Sequence, residues 1–214
     1  MKIKVLAIIA LLAALLSPVA TAGAATKSCA PTQPVEEGPY YLPNSPTRSD
    51  VTDSQAGKKM KLTFTVVDTA CKPVKGARVD IWYANAQGIY SGVASRGDDL
   101  GAGVNSGNFL RGTQVTNAQG KVTFTGIYPG WYPARTIHIH EKIWVGGREV
   151  LTTQTFFTDK QNAAVMATAP YSARGAQRVT NSTDMVLNRG GVKLTPLLMK
   201  LNGSKAQSTI VVNK

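Results

Sequence analysis

Short apolar, β-branched or alternating runs, most of them closed by a turn signal, restrict this chain to stacked sheets. They fall at Lys61 to Val67, Ala77 to Tyr83, Lys121 to Thr125, Ile137 to Val145, Val150 to Phe157, Asp184 to Leu187, Leu197 to Leu201 and Ser208 to Val212. Asn117-Ala-Gln-Gly120, Gly146-Gly147 and Asn202-Gly203 supply turns between them. No long segment holds a helical period, and only Gln161 to Ala167 offers a short helical turn. Upstream, Pro31, Pro34, Pro39, Pro43 and Pro46 resist helix throughout Thr26 to Asp53. The expected fold is all-β: a β-sandwich of mostly antiparallel strands with long loops over 61–214, preceded by an extended Pro-rich N-terminal arm over 25–60 that wraps the body. Ser95 to Asn108, polar and glycine-rich, reads as a long surface loop near Tyr90.

Met1-Lys-Ile-Lys4 leads into an apolar run from Val5 to Leu16 and a small-residue exit through Ala22 and Ala24, the layout of a secretory signal peptide over 1–24. That run is too short for a comfortable membrane span, so a soluble exported protein, secreted or periplasmic, is expected. Export places Cys29 and Cys71 in oxidising surroundings, where they can close a disulfide between arm and domain. Such a bridge would stabilise by roughly 3 to 4 kcal/mol on a chain-entropy account. The alternative, two buried free thiols, is disfavoured outside the cytosol. Loss of Lys2 and Lys4 with the leader lowers the formal charge from +12 to +10, still strongly basic. Scattered Lys and Arg steer anionic molecules without selecting them, and no nucleic-acid motif is present. No specific nucleic-acid partner and no membrane span are therefore expected.

Both histidines lie in Arg135-Thr-Ile-His-Ile-His140, just after Tyr128-Pro-Gly-Trp-Tyr132. Residues two apart on a strand project from one face, so His138 and His140 can aim both imidazoles at one point while Ile137 and Ile139 face the other side. On pattern alone the pair fits a metal clamp and a hydrated polar strand face equally well. Cys29 and Cys71 lack a C-x-x-C spacing, and no H-E-x-x-H, EF-hand or Walker pattern occurs. The remaining hard donors are carboxylates and phenolates, and tyrosines stand in two glycine-containing turns, Gly88-Ile-Tyr90-Ser-Gly92 and Pro129-Gly-Trp-Tyr132-Pro133.

In order along the chain stand Glu37-Gly-Pro-Tyr-Tyr41, Asp80-Ile-Trp-Tyr-Ala-Asn-Ala-Gln-Gly-Ile-Tyr90-Ser-Gly, Phe109-Leu-Arg-Gly, Ile127-Tyr-Pro-Gly-Trp-Tyr132-Pro-Ala-Arg-Thr-Ile-His-Ile-His140 and Leu151-Thr-Thr-Gln154-Thr-Phe-Phe157. Together they resemble the intradiol ring-cleavage dioxygenases, over roughly residues 36 to 158, and most of all that family's secreted, single-domain branch. The resemblance implies a mononuclear Fe(III) held by Tyr90, Tyr132, His138 and His140, with a solvent hydroxide as fifth ligand. It implies that a catecholic or lignin-derived aromatic binds through both hydroxyls, displacing the hydroxide and Tyr132. Reaction with O2 between the two hydroxyl-bearing carbons then gives a cis,cis-muconate-type diacid. Arg135 and Gln154 match family positions beside the substrate, and Gly38, Pro39 and Tyr40 of the arm match substrate-binding positions. Two phenolates favour Fe(III) over Fe(II), and the cation's charge removes phenol protons that otherwise titrate near pH ~10.

Three departures mark this chain within that resemblance. The arm shows no helical heptads, so the helical dimerisation domain of catechol dioxygenases is expected to be absent. Only five residues separate Tyr132 from His138, fewer than in protocatechuate enzymes, which shortens one pocket wall. Tyr83 stands where secreted relatives often carry histidine. Two other classes fit the residues less well. A sandwich carrier would have little reason to keep the complete donor set. A serine hydrolase lacks its G-x-S-x-G elbow here.

Overall fold

Alternation along Lys59–Asp68 (β1) buries Met60, Leu62, Phe64 and Val66 on one face and leaves Lys59 and Lys61 in solvent. This computed structural model of the chain is described for residues 28–94, 107–177 and 179–214, so the leader read at 1–24 and most of the loop read from Ser95 lie outside the described residues. Strand β1 pairs antiparallel with Lys121–Ile127 (β4), and Phe64 meets Phe124 edge to face at 6.3 Å between ring centroids. On its other side it pairs in parallel with Lys205–Val212 (β9), which also pairs with Lys200–Asn202 (β8). The resulting four-stranded sheet has the order β4-β1-β9-β8.

The second sheet contains Arg78–Trp82 (β2), Arg111–Val115 (β3), His138–Val145 (β5), Arg148–Phe156 (β6) and Leu197–Leu198 (β7), in the order β3-β2-β5-β6-β7. Its pairings are antiparallel except the short parallel contact of β6 with β7. The sheets enclose one core, in which Val79, Ile81, Ile139 and Ile143 face Leu62, Phe64, Phe124 and Ile210. Each such side chain contributes roughly 1.5–3 kcal/mol by leaving water. This is the all-β sandwich expected.

Among the described residues one α-helix, Asp159–Met166 (α1), lengthens the turn anticipated at Gln161 to Ala167 toward its N-terminus. The extension rests on a capping box, in which the Thr158 hydroxyl accepts from the Gln161 amide while the Gln161 side chain accepts from the Thr158 amide. Three strand expectations need correction. Arg111–Val115 is a strand although the polar run Arg111-Gly-Thr-Gln gave no sign of one. Leu197 to Leu201 is not continuous: it splits around buried Met199, sending β7 to one sheet and β8 to the other. Asp184 to Leu187 is a turn, because the Asp184 carboxylate accepts from the amides of Val186 and Leu187.

The arm reaches β1 at Lys59 without regular structure of its own. It hugs the body through single backbone hydrogen bonds, Cys29 to Thr69, Thr32 to Val211 and Val35 to Thr152. Cys29 and Cys71 form a disulfide, as expected.

Candidate metal centre

The outer face of the five-stranded sheet carries the site, since strand alternation puts His138 and His140 opposite the core-facing Ile137, Ile139 and Ile143. Register then aligns four side chains in one row across four strands. Arg111 on β3 pairs with Trp82 on β2, Trp82 with His140 on β5, and His140 with Gln154 on β6. Within the row the Trp82 indole lies flat on the His140 ring, centroids 4.8 Å apart and planes 10° from parallel, which fixes that imidazole's plane.

The two tyrosines come from loops pressed together over this row. Asn85 shapes the first loop: its side-chain oxygen accepts from the amides of Gln87 and Ile89, and its backbone oxygen accepts from Gly130 of the second loop. That approach excludes any larger residue. A Cβ on Gly130 would stand 2.4 Å from the Asn85 carbonyl oxygen, and one on Gly88 would stand 2.2 Å from that of Trp131. Arg174 adds a clasp, donating to the carbonyls of Gln87 and Trp131 with its guanidinium 4.4 Å over the Trp131 ring.

Four donor atoms converge as a result. His138 Nε2 lies 3.1 Å from His140 Nε2, 3.1 Å from Tyr132 Oη and 3.4 Å from Tyr90 Oη, while His140 Nε2 lies 3.2 Å from Tyr90 Oη. Atoms spaced this way share a centre roughly 2 Å from each, the length of a bond from imidazole to a first-row metal. The His138 tautomer is set from behind: a carbonyl can only accept, so Nδ1–H donates to Thr136 O at 2.7 Å and the Nε2 lone pair points at the cluster. Among the described residues no group of three or more His, Cys, Asp or Glu side chains could hold a metal ion. The donor set here is instead two imidazoles and two phenols.

Burial governs the protons of all four. It pushes Tyr132 up to about 12 against the pull of Arg135, drives Tyr90 well above the ordinary phenol value, and drives both histidines well below the ordinary imidazole value, with Arg135 acting in the same direction. Neutral imidazoles are what a metal requires. The phenols need a cation to ionise, and a trivalent one paired with two phenolates leaves little net charge in the desolvated site. The residues present therefore fit a hard ferric ion.

Arg135 and Gln154 meet at the edge of this cluster, where the Arg135 guanidinium donates to Gln154 Oε1 at 2.5 Å, and Gln154 Nε2 donates to the Glu36 carbonyl of the arm. Arg135 Nε donates to Asp184 Oδ2 at 2.9 Å, and that oxygen also accepts from the Thr136 amide. Asp184 is fully buried, and the sequence alone does not mark it as a site residue. Its only signal was its place in the turn-prone stretch Asn181-Ser-Thr-Asp184. Of the arm residues, Gly38 holds φ +70° and a Cβ there would lie 3.5 Å from His140 Cε1. Tyr40 stacks on Tyr90 at 4.4 Å, and Pro39, between Gly38 and Tyr40 in the chain, is exposed.

Known proteins share this arrangement of chain. The family model described as Dioxygenase matches residues 36–194. The chain is similar to the hydroxyquinol 1,2-dioxygenase of Rhizobium sp. (strain MTP-10005), 28% identical over 143 residues, covering 57% of this chain and 46% of that one. The chain thus spans about half the length of the curated relatives it matches. Among solved structures it resembles an intradiol ring-cleavage dioxygenase from Tetranychus urticae, with TM-score 0.76 and 31% identity over 86% of this chain and 95% of that one. It also resembles the dioxygenase domain of a dioxygenase and carbohydrate-binding protein fusion from Streptomyces sp. SirexAA-E, with TM-score 0.58 and 34% identity over 86% and 97% of the two chains.

Proposed function

The chain belongs to the intradiol ring-cleavage dioxygenase family, and on that premise we propose that it is an exported enzyme using Fe(III) and O2 to open catechol-type rings between their two hydroxyl-bearing carbons. Its substrates are small catecholic or lignin-derived aromatics, and its products cis,cis-muconate-type diacids. The observation that carries this reading is the convergence of Tyr90 Oη, Tyr132 Oη, His138 Nε2 and His140 Nε2 on one point. These four residues would hold the metal. Ferric iron, when bound, supplies the Lewis acidity that draws both catechol oxygens into the site.

The side chains do the rest. Tyr132 is the most exposed of the four donors, at 8%, and sits in a tight turn bridged to Arg135, so of the four it is the one most accessible to an entering substrate. Its high proton affinity off the metal suits it to take a proton from the incoming catechol. Arg135, held by Asp184, presents a fixed cation to negative charge developing on the ring, and Gln154 fixes the guanidinium from the other side. Gly38, Pro39 and Tyr40 form the substrate wall contributed by the arm. The Cys29–Cys71 disulfide supports export, since such bridges persist in oxidising compartments.

Expression of the chain without its leader, with iron quantified and visible spectra recorded before and after anaerobic catechol, tests the proposal. One iron per chain and a red-brown band that moves to longer wavelength with catechol are expected. A protein still colourless after reconstitution with Fe(III) leaves a sandwich-fold binding module as the better account.

A further inference from the structure

Arg111 opens β3 and is 1% exposed, yet among the described residues every group that accepts from it is neutral. Its Nε donates to the Ser91 carbonyl at 3.1 Å and the Ser91 hydroxyl at 3.0 Å, one terminal nitrogen to the Ser91 carbonyl at 2.7 Å, and the other to the Tyr40 carbonyl at 2.7 Å. The ion pairs among the described residues show the contrast: Arg48 meets Asp53, Arg78 meets Asp80, Arg135 meets Asp184 and Arg189 meets Glu36. A buried cation lacking an anion is costly and is seldom kept without one. Tyr90, chain neighbour of Ser91, is a group beside Arg111 able to become an anion, and its ring stacks on Tyr40. Arg111 thus grips both neighbours of that phenol: the loop that carries it and the arm residue that covers it.

We infer that Arg111 is a positioning residue for the metal centre, fastening the Tyr90 loop to the arm and supplying the countercharge that Tyr90 acquires a use for once it is a metal-bound phenolate. The inference rests on the ferric reading above. It explains why the Phe109-Leu-Arg-Gly motif, which contributes no donor to the cluster, places a guanidinium at the end of the row through Trp82 and His140. Arg135 acts on both phenols, whereas Arg111 adds a second cation on the Tyr90 side. A fixed cation favours the ionised form of Tyr90 over the phenol and lowers the energy of its electrons, so Arg111 would keep that oxygen ionised and in place for a metal.

The test compares wild type with Arg111→Lys, Arg111→Met and Arg111→Gln, each loaded with Fe(III), by the wavelength of the anaerobic visible band and by iron retention against a chelator. Removing the charge raises the donor level, so Arg111→Met is expected to move the band to longer wavelength and weaken iron binding roughly 10–100-fold, as loss of a group that orients a ligand commonly does. Arg111→Lys keeps the charge and is expected to restore the wild-type wavelength even where its shorter reach loosens iron. Arg111→Gln, which can still donate to Ser91, reports on charge if the methionine variant does not fold. A band unmoved in both neutral variants, or moved equally in the lysine variant, overturns the inference while the ferric reading stands. A colourless wild type removes both.

Discussion

The phenol oxygen of Tyr132 sits 3.1 Å from His138 Nε2, in a site where burial holds its proton up to about 12. It therefore has two comfortable states, a phenol hydrogen-bonded to imidazole or a phenolate on a cation. Tyr132→Phe removes both, and the iron-loaded variant is expected to lose much of its visible band and roughly 100-fold in catechol-dependent oxygen uptake. Wild-type colour and turnover in that variant would remove Tyr132 from the donor set. Asp184 is a different kind of residue, for its carboxylate accepts from Arg135 Nε and from the amides of Thr136, Val186 and Leu187, all in the dark interior. Asp184→Ala leaves the Arg135 guanidinium buried without its anion and is expected to cost about 3–5 kcal/mol, read as a lowered urea midpoint. An unchanged midpoint would mean that water or another acceptor replaces the carboxylate. The histidine pair and tyrosines were legible in sequence because rare donor types stood in local order. Asp184 was not, because its partner is 49 residues away and an acidic residue in a turn looks the same whether it faces water or a guanidinium.

At the scale of elements, the alternation of apolar and polar residues located β1, β2, β4, β5, β6 and β9 because one face of each meets the core. It failed at β3, where Arg111 and Thr113 are buried not among apolar groups but under the arm, satisfied by Ser91, Tyr40 and Asp80. Polarity reports exposure only where the outer face of a sheet is open, and here loops cover it. It failed also along Leu197 to Leu201, since apolar character cannot say that Met199 marks the crossing from one sheet to the other. The contact between the tyrosine loops is sharper than any strand boundary, and it yields a prediction. Gly130→Ala places a methyl 2.4 Å from Asn85 O and 2.5 Å from Ala86 O, both backbone atoms with no side chain to yield. The expected cost is roughly 1–3 kcal/mol of stability, with iron content falling further than stability does, because the shift parts Tyr90 from Tyr132. Gly146→Ala meets nothing within 4 Å but forces alanine to φ +58°, so it serves as the comparison that costs stability far from the donors and should keep its iron. Equal iron content in both variants would show that the loops adjust without disturbing the donors.

Across the whole molecule, the first and last long strands pair in parallel in one sheet while the arm crosses both sheets, so the ends of the described chain are stitched into the middle of the fold. The Cys29–Cys71 bridge closes a separation of 42 residues and is expected to contribute about 4 kcal/mol, so replacing both cysteines by serine should lower Tm by on the order of 10 °C. Protons act on the same scale, and the iron-free protein makes their balance visible. His138 and His140 are buried neutral, their folded values far below the ordinary 6.5, so the unfolded chain takes up two protons as pH falls through 6.5 and the folded one does not. Their contribution is complete above 6.5 and is lost on acidification. Glu141 works the other way: it faces the core beside Ile139 and Ile143, one oxygen accepting from Thr155 and the other without a partner, and burial raises it well above the ordinary 4.5. It stays protonated in the fold while the unfolded chain releases that proton above 4.5, so its contribution is present below 4.5 and lost as pH rises. Between 4.5 and 6.5 the unfolded chain binds one proton more from these three groups, and stability should rise by about 1.4 kcal/mol per pH unit. Above 6.5 Glu141 alone remains and reverses the slope, so urea midpoints of the iron-free protein should peak near pH 6.5. In Glu141→Gln the fall on the alkaline side should vanish while the fall on the acid side steepens. A midpoint that climbs steadily through pH 8 in the parent chain would show that Glu141 ionises in the fold, with water reaching the core between the sheets.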